Sequence, residues 1–440
     1  MNLPRSVNNY LSKNGLNGWK LELSGEKFYN NIVVIPAIEE YKNISRLLES
    51  FLQNDIRCFN DTLVLFVVNN LRSSNAAVKE DNLKSLQMIR QIIAGKAETD
   101  LERNILNTGL NVGLADASSS GLEMPEKDGG VGLARKIGMD LALRQFDFSN
   151  NRTKILICLD ADCTIGKNYL SSIVRAFEVP GTNAAYVQYE HRLPESEIHR
   201  RAIISYEIFL RYYVLELKYA DSPFAFPTIG STMICDYESY IRIGGMNKKK
   251  AAEDFYFLEK LAKITEIKKI DSAKVYPSSR GSWRVPFGTG QRVNRFTAGT
   301  HEEYVLYDPE SFNILKQWLN VFNSDKILSA DEYLREAESI SPVLHKFLLQ
   351  NSFQENWDKI AGNSKSERQI EKQKRIWFDG FRTLKLIHFL RDNGYPLINM
   401  FDALDKALIL TERKIPVRNN NDNPQLEIQE QYLALLRELA

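Results

Sequence analysis

Apolar positions along this chain change rhythm near residue 305. Before that point, short unbroken apolar runs alternate with amphipathic stretches. Residues 31–36 (Asn-Ile-Val-Val-Ile-Pro) form the first run, closed by Pro36. Ile44, Leu47, Leu48 and Phe51 follow at helical spacing within 43–53. Residues 62–68 (Thr-Leu-Val-Leu-Phe-Val-Val) are β-rich and end at Asn69 and Asn70, and 83–93 return to helical spacing. Short apolar runs bounded by turn residues predict buried strands. Their alternation with helices predicts a doubly wound α/β sheet. The stretch 113–130, rich in Ser, Gly and Asp, reads as a long loop. Gly129, Gly130 and Gly132 lead into a helix over 131–145. A helix near 167–178 and a strand near 184–189 follow. Beyond 305 strand-like runs give way to amphipathic helices, among them 331–338, 368–391 and 425–439. The pattern predicts an α/β domain over 1–304 and a helical region over 305–440.

The densest chemistry sits at 154–164 (Lys-Ile-Leu-Ile-Cys-Leu-Asp-Ala-Asp-Cys-Thr). Five apolar residues, 155–159, precede Asp160 and Asp162, so a buried strand delivers two carboxylates at its C-terminal end. Open α/β sheets bind ligands there. Paired carboxylates completed by substrate phosphates suit a hard divalent cation, Mg²⁺ or Mn²⁺.

Composition narrows the class. Hydrophobic residues are 43% and charged residues 26%, as in soluble globular proteins, and the net charge is +1. That balance, without a basic stripe interleaved with aromatics, gives no support for nucleic-acid binding. No apolar window is long enough for a membrane helix, and the N-terminus lacks the apolar core of a secretion signal. Cys58, Cys158, Cys163 and Cys235 contain no Cys-x-x-Cys pair. They read as small buried residues of a cytoplasmic enzyme. The five histidines, His191, His199, His301, His345 and His388, show no metal-ligand spacing, and no P-loop or nucleophile elbow is present.

Five motifs, in order, resemble the nucleotide-sugar glycosyltransferases of the GT-A fold, family 2 in particular. These are the strand Val34-Ile-Pro-Ala-Ile-Glu-Glu40, the glycine-rich helix start Gly130-Val-Gly-Leu-Ala-Arg-Lys-Ile-Gly138, and the pair Asp160/Asp162. The Gly230-Ser231 segment with Arg242-Ile-Gly-Gly245 and the dyad Glu253-Asp254 complete the set. The resemblance covers about the first 300 residues. It implies a Rossmann-like, mostly parallel sheet with helices on both faces. It also implies a donor part at about 30–190 and an acceptor part at about 225–295.

Residue roles follow from that likeness. Pro36, Ile38 and Glu40 would line the base pocket. Asn69 stands where the family usually carries an acid. It can hydrogen-bond a base edge or ribose but adds no charge. Arg135 would contact the donor diphosphate or order the carboxylates. Asp162 would bind the metal, with Asp160 on the ribose or a metal-bound water. Gly230 and Ser231 would sit near the transferred sugar. Asp254 would be the base of an inverting transfer, with Glu253 beside it. The loop 278–292 replaces the Gln-x-x-Arg-Trp motif of processive synthases. There Arg280 and Arg284 would meet the diphosphate or an anionic acceptor, and Trp283 would stack on a sugar. His301 falls where some GT-A enzymes add a late metal ligand. Each of these residues also has a plainer reading as a cap, turn or packing residue.

The implied activity is a metal-dependent, non-processive transfer from a nucleoside-diphosphate sugar to a sugar, lipid-linked or small anionic acceptor, by a chain open to oligomerisation. Two rivals stand beside it. Asp160-Ala-Asp162 after an apolar strand also resembles the haloacid-dehalogenase phosphatases, with Asp160 as covalent nucleophile. A GT-A-like scaffold that binds sugar nucleotides without turnover is the other.

Overall fold

The computed structural model describes all residues except 1–2, 282–287, 410–413 and 419–422. The chain forms two compact units, one of residues 1–192 and 228–288, the other of residues 193–227 and 289–440. The sequence places one boundary at 304. The units instead interleave, because the long helix Glu197–Tyr219 belongs with the later helices.

The described residues of the first unit are built on nine strands. These are β1 (Leu21–Glu22), β2 (Asn31–Ala37), β3 (Thr62–Asn69), β4 (Asn111–Ala117) and β5 (Ile155–Cys158), followed by β6 (Thr164–Ile165), β7 (Ala184–Tyr189), β8 (Met233–Asp236) and β9 (Ile267–Tyr276). They form one sheet in the order β1-β4-β3-β2-β5-β8-β7-β9-β6. The long ladders, β4-β3-β2-β5 and β7-β9, are parallel, and short antiparallel pairs link or edge them. β3 is buried at every position, which is why its sequence is nearly all apolar. Val33, Ile35, Val64, Phe66 and Val68 share one core with the helices Tyr41–Phe51 and Ala76–Ile93. The helix Val131–Ala142 packs on β2 and β3 from the other face. The α/β class and the helices on both faces are as the sequence predicts.

The stretch 113–130 departs from the loop reading. Its start belongs to β4, which runs parallel to β3 from Leu63 opposite Asn111 to Asn69 opposite Ala117. Gly113 and Asp116 disguise the strand. Gly113 is where Leu23 and Leu63 close on the backbone, and a β-carbon there would lie 2.8 Å from Leu23 Cδ2.

The second unit is helical, with one two-stranded antiparallel pair among its described residues, Val305–Leu306 and Ile398–Asn399. Its core is aromatic, with Trp318, Phe322, Tyr333, Phe353 and Trp357 in mutual contact. The stretch 368–391 is two helices, Glu367–Trp377 and Gly380–Asp392, because the Asp379 carboxylate accepts from Arg382 N at 2.9 Å and starts a new one. Among the described residues no helix is long and apolar enough to cross a membrane.

Candidate active site

β2 and β5 are parallel neighbours, so their C-terminal ends emerge side by side. Asp160 and Asp162 leave β5 in a turn closed by Cys163 N on Asp160 O at 3.1 Å. From β2 the chain passes through Ile38, Glu39 and Glu40. Glu39 holds a left-handed φ of 56°, a strained conformation for a non-glycine residue. The helix Ala76–Ile93 fastens this turn. Glu39 N donates to Asn82 Oδ1 at 2.9 Å, and Tyr41 N to Asp81 Oδ1 at 3.0 Å. Asn82 Nδ2 in turn donates to Asn69 O and Asn70 Oδ1, each at 2.9 Å. Glu40 is buried and accepts from Asn43 Nδ2 at 2.5 Å. It is ion-paired with Arg280, whose Nη2 also stands 3.4 Å from Asp162 Oδ2. One guanidinium therefore links the β2 turn to the Asp pair.

A second guanidinium links the Asp pair to the Glu-Asp dyad. The helix Val131–Ala142 approaches the 247–250 segment closely, and a β-carbon on Gly132 would lie 2.9 Å from Asn247 O. One turn on, Arg135 is buried and ion-paired with both Asp160 and Glu253. Gly230, beside β8, lies against that guanidinium, where a β-carbon would overlap it. Ser231 is buried next to it, and its hydroxyl reaches the Cys163 thiol.

Glu253 and Asp254 open the helix Glu253–Ala262 after Ala252 in a left-handed conformation. Burial raises the Glu253 carboxyl above its ordinary range, and Arg135 opposes that rise. Asp254 is pushed up from 3.8 to about 7, first by burial and then by the charge of Glu253. Its carboxylate accepts from Phe255 N at 2.8 Å. A carboxyl held near neutrality in this way is suited to general-base work at physiological pH.

The charges fit a divalent cation. Asp160, Asp162, Glu40, Glu253 and Asp254 face two guanidinium groups, so acid is in excess. No three His, Cys, Asp or Glu side chains converge among the described residues. A cation placed here would be held by one or two of these carboxylates and completed by oxygens of a ligand.

The other expected residues are placed as follows. Pro36 and Ile38 are half-buried at the end of β2. Asn69 is buried, and its amide donates to Ala37 O and Val67 O at 3.1 and 2.9 Å, which leaves its oxygen as the group able to meet a ligand. Trp283 and Arg284 lie outside the described residues. His301 is exposed on the second unit, with Nδ1 3.0 Å from Thr300 Oγ1. Asp81 and Asn82 were not foreseen. The signal was a buried Asn on the apolar stripe of Leu86 and Ile89.

No protein-family model matches the sequence, and no curated protein matches it. Among solved structures, the chain is similar to S. aureus TarS 1–349 in complex with UDP-GlcNAc, at 13% identity and a TM-score of 0.39, over 83% of this chain and 93% of that one. It is similar also to the mannosyltransferase PcManGT from Pyrobaculum calidifontis in complex with GDP-Man and Mn²⁺, at 12% identity and a TM-score of 0.36, over 98% and 91% of the two chains.

Proposed function

We propose that this chain is a metal-dependent GT-A glycosyltransferase that moves a sugar from a nucleoside diphosphate to an acceptor hydroxyl. The observation that carries the reading is the Arg135 junction. One buried guanidinium ties the Asp pair at the end of β5 to the Glu-Asp dyad at a helix start, so two motifs far apart in sequence form one centre.

The donor would lie over the ends of β2 and β5, its base toward Pro36, Ile38, Glu40 and Asn69. Asp162 would hold Mg²⁺ or Mn²⁺ together with the donor phosphates, with Asp160 toward the ribose. When bound, that ion neutralises charge on the departing nucleoside diphosphate. Arg280, and Arg284 by its motif, would meet the diphosphate or an anionic acceptor. Asp254 takes the proton from the acceptor hydroxyl, which attacks the sugar with inversion. Glu253, held by Arg135, orients the acceptor beside Asp254. Gly230, Ser231 and Trp283 belong to the acceptor side. Transfer is non-processive. Four free thiols support action in the cytoplasm.

The rival readings lack comparable support. A covalent nucleophile at Asp160 would have to leave its ion pair with Arg135. A carboxyl raised to about 7 at Asp254 favours turnover over passive binding. The test is thermal stabilisation by UDP, GDP, CMP and dTDP species with and without Mn²⁺. A ligand at a hundred times its Kd adds about 2.7 kcal/mol. A metal-dependent shift with one nucleoside diphosphate is expected. No shift with any of them, with turnover of a simple phosphate ester, would replace the transferase with a phosphatase.

A further inference from the structure

The carboxylate at Asp162 already has a positive charge beside it. Arg280 Nη2 stands 3.4 Å from Asp162 Oδ2 while it is ion-paired with Glu40. A divalent cation on that carboxylate lies about 2.0–2.6 Å from its oxygen. Cation and guanidinium would then stand within about 6 Å of each other. Like charges that close, one of them double, repel enough to change an affinity about tenfold, even at the dielectric constant of water.

The two guanidinium groups of the centre differ in their freedom to yield. The Arg135 side chain is 2% exposed, is ion-paired with both Asp160 and Glu253, and has Gly230 packed against it. The Arg280 side chain is 39% exposed and lies just past the end of β9. Its approach to Asp162 is longer than the roughly 2.7–2.9 Å of a good charge-assisted hydrogen bond. Glu40, buried and held by Asn43 Nδ2, offers it a second carboxylate, so Arg280 can leave Asp162 and stay ion-paired.

We infer that Arg280 competes with the divalent cation for Asp162 and thereby couples cation binding to diphosphate binding. The inference rests on the proposed reading, in which Asp162 is the metal ligand. Against Arg280 the cation alone binds weakly. A diphosphate that accepts from the displaced guanidinium neutralises its charge and removes that opposition. Coupling of this kind is reciprocal, so each ligand raises the affinity of the other. Arg280 thus favours a site that holds the cation together with a diphosphate over one that holds the cation alone.

The test is calorimetry on the full chain, with Mn²⁺ alone and then with UDP and GDP in saturating Mn²⁺. Arg280→Gln keeps a polar side chain at a partly exposed position and removes the charge. It should bind Mn²⁺ alone about tenfold tighter than the wild type. That gain should vanish in the double variant Arg280→Gln/Asp162→Asn, which places it on Asp162. Whichever of UDP and GDP binds the wild type should bind Arg280→Gln at least fivefold more weakly. A residue that only supported the fold would weaken both ligands, so the opposite signs are the mark of competition. Binding of Mn²⁺ alone that is equal, weaker or absent in Arg280→Gln would overturn the inference, as would a gain that survives the loss of Asp162. The transferase reading fails by a different result, binding of neither UDP nor GDP to either protein, and the Mn²⁺ comparison then still decides for or against Arg280.

Discussion

Gly230 lies so close to the Arg135 guanidinium that a single added methyl group would overlap it. Arg135 is fixed from its other sides by Asp160 and Glu253, so it has little room to yield. Gly230→Ala should therefore cost about 1–3 kcal/mol in urea unfolding, the usual price of overpacking. It should also lower turnover at least tenfold, because the displaced guanidinium carries both carboxylates with it. A variant with unchanged stability and turnover would show that Gly230 does not set the Arg135 position.

Arg135→Lys tests the junction more directly. An ammonium keeps the charge but is a compact point, without the planar fork that meets two carboxylates at once. One of Asp160 and Glu253 is then left buried without its partner. Removing one member of a buried pair costs about 3–5 kcal/mol, and lysine should retain part of that. Denaturation midpoints of Arg135→Lys and Arg135→Met should rank wild type first, lysine second and methionine last. Methionine above lysine would mean that the site tolerates losing the cation.

The sequence made β3 legible because every one of its positions faces a core, and apolar periodicity reports that directly. β4 was hidden for the opposite reason. Gly113 serves a close approach and Asp116 accepts from Ser118 N and Ser119 N, and neither role has a β signature. The helix Glu197–Tyr219 escaped because its buried face carries Glu207 and Arg211, paired at 2.8 Å. Glu207 also takes Arg437 from the last helix at 2.8 Å, so buried charge interrupts the apolar stripe of Ile204, Ile208, Tyr212 and Leu217. In the site, residue types and order were visible, as in Asp160, Asp162 and Glu253-Asp254. Partners were not. That Arg135 would be buried between two carboxylates, and that Arg280 would link Glu40 to Asp162, depends on tertiary packing that no local pattern encodes.

Asp162→Asn addresses the metal. A neutral amide binds Mg²⁺ or Mn²⁺ far more weakly than a carboxylate does. Nucleoside-diphosphate binding should lose its metal dependence, with affinity in Mn²⁺ falling at least tenfold by calorimetry. Folding should be little changed, since Asp162 is partly exposed. Retained metal-dependent binding would move the ion to other ligands.

Asp254→Asn couples activity to stability with a definite sign. The folded carboxyl is raised from 3.8 to about 7, so between those values the folded state holds a proton that the unfolded state releases. Stability contributed by this group is thus full below about pH 4 and is lost as pH rises through 7. The amide carries no charge at any pH and can still accept from Phe255 N. Asp254→Asn should therefore match the wild type near pH 4 and exceed it above pH 7, by roughly 1–3 kcal/mol in denaturant unfolding. Turnover moves the other way. The wild-type kcat/KM should rise with pH along a limb centred near 7, as the base loses its proton, and the variant should fall by about 10²–10⁴-fold at pH 8. Nucleoside-diphosphate binding should persist in it. A variant less stable at pH 8, or one that loses donor affinity and rate together, would make Asp254 a structural helix-start residue instead of the base.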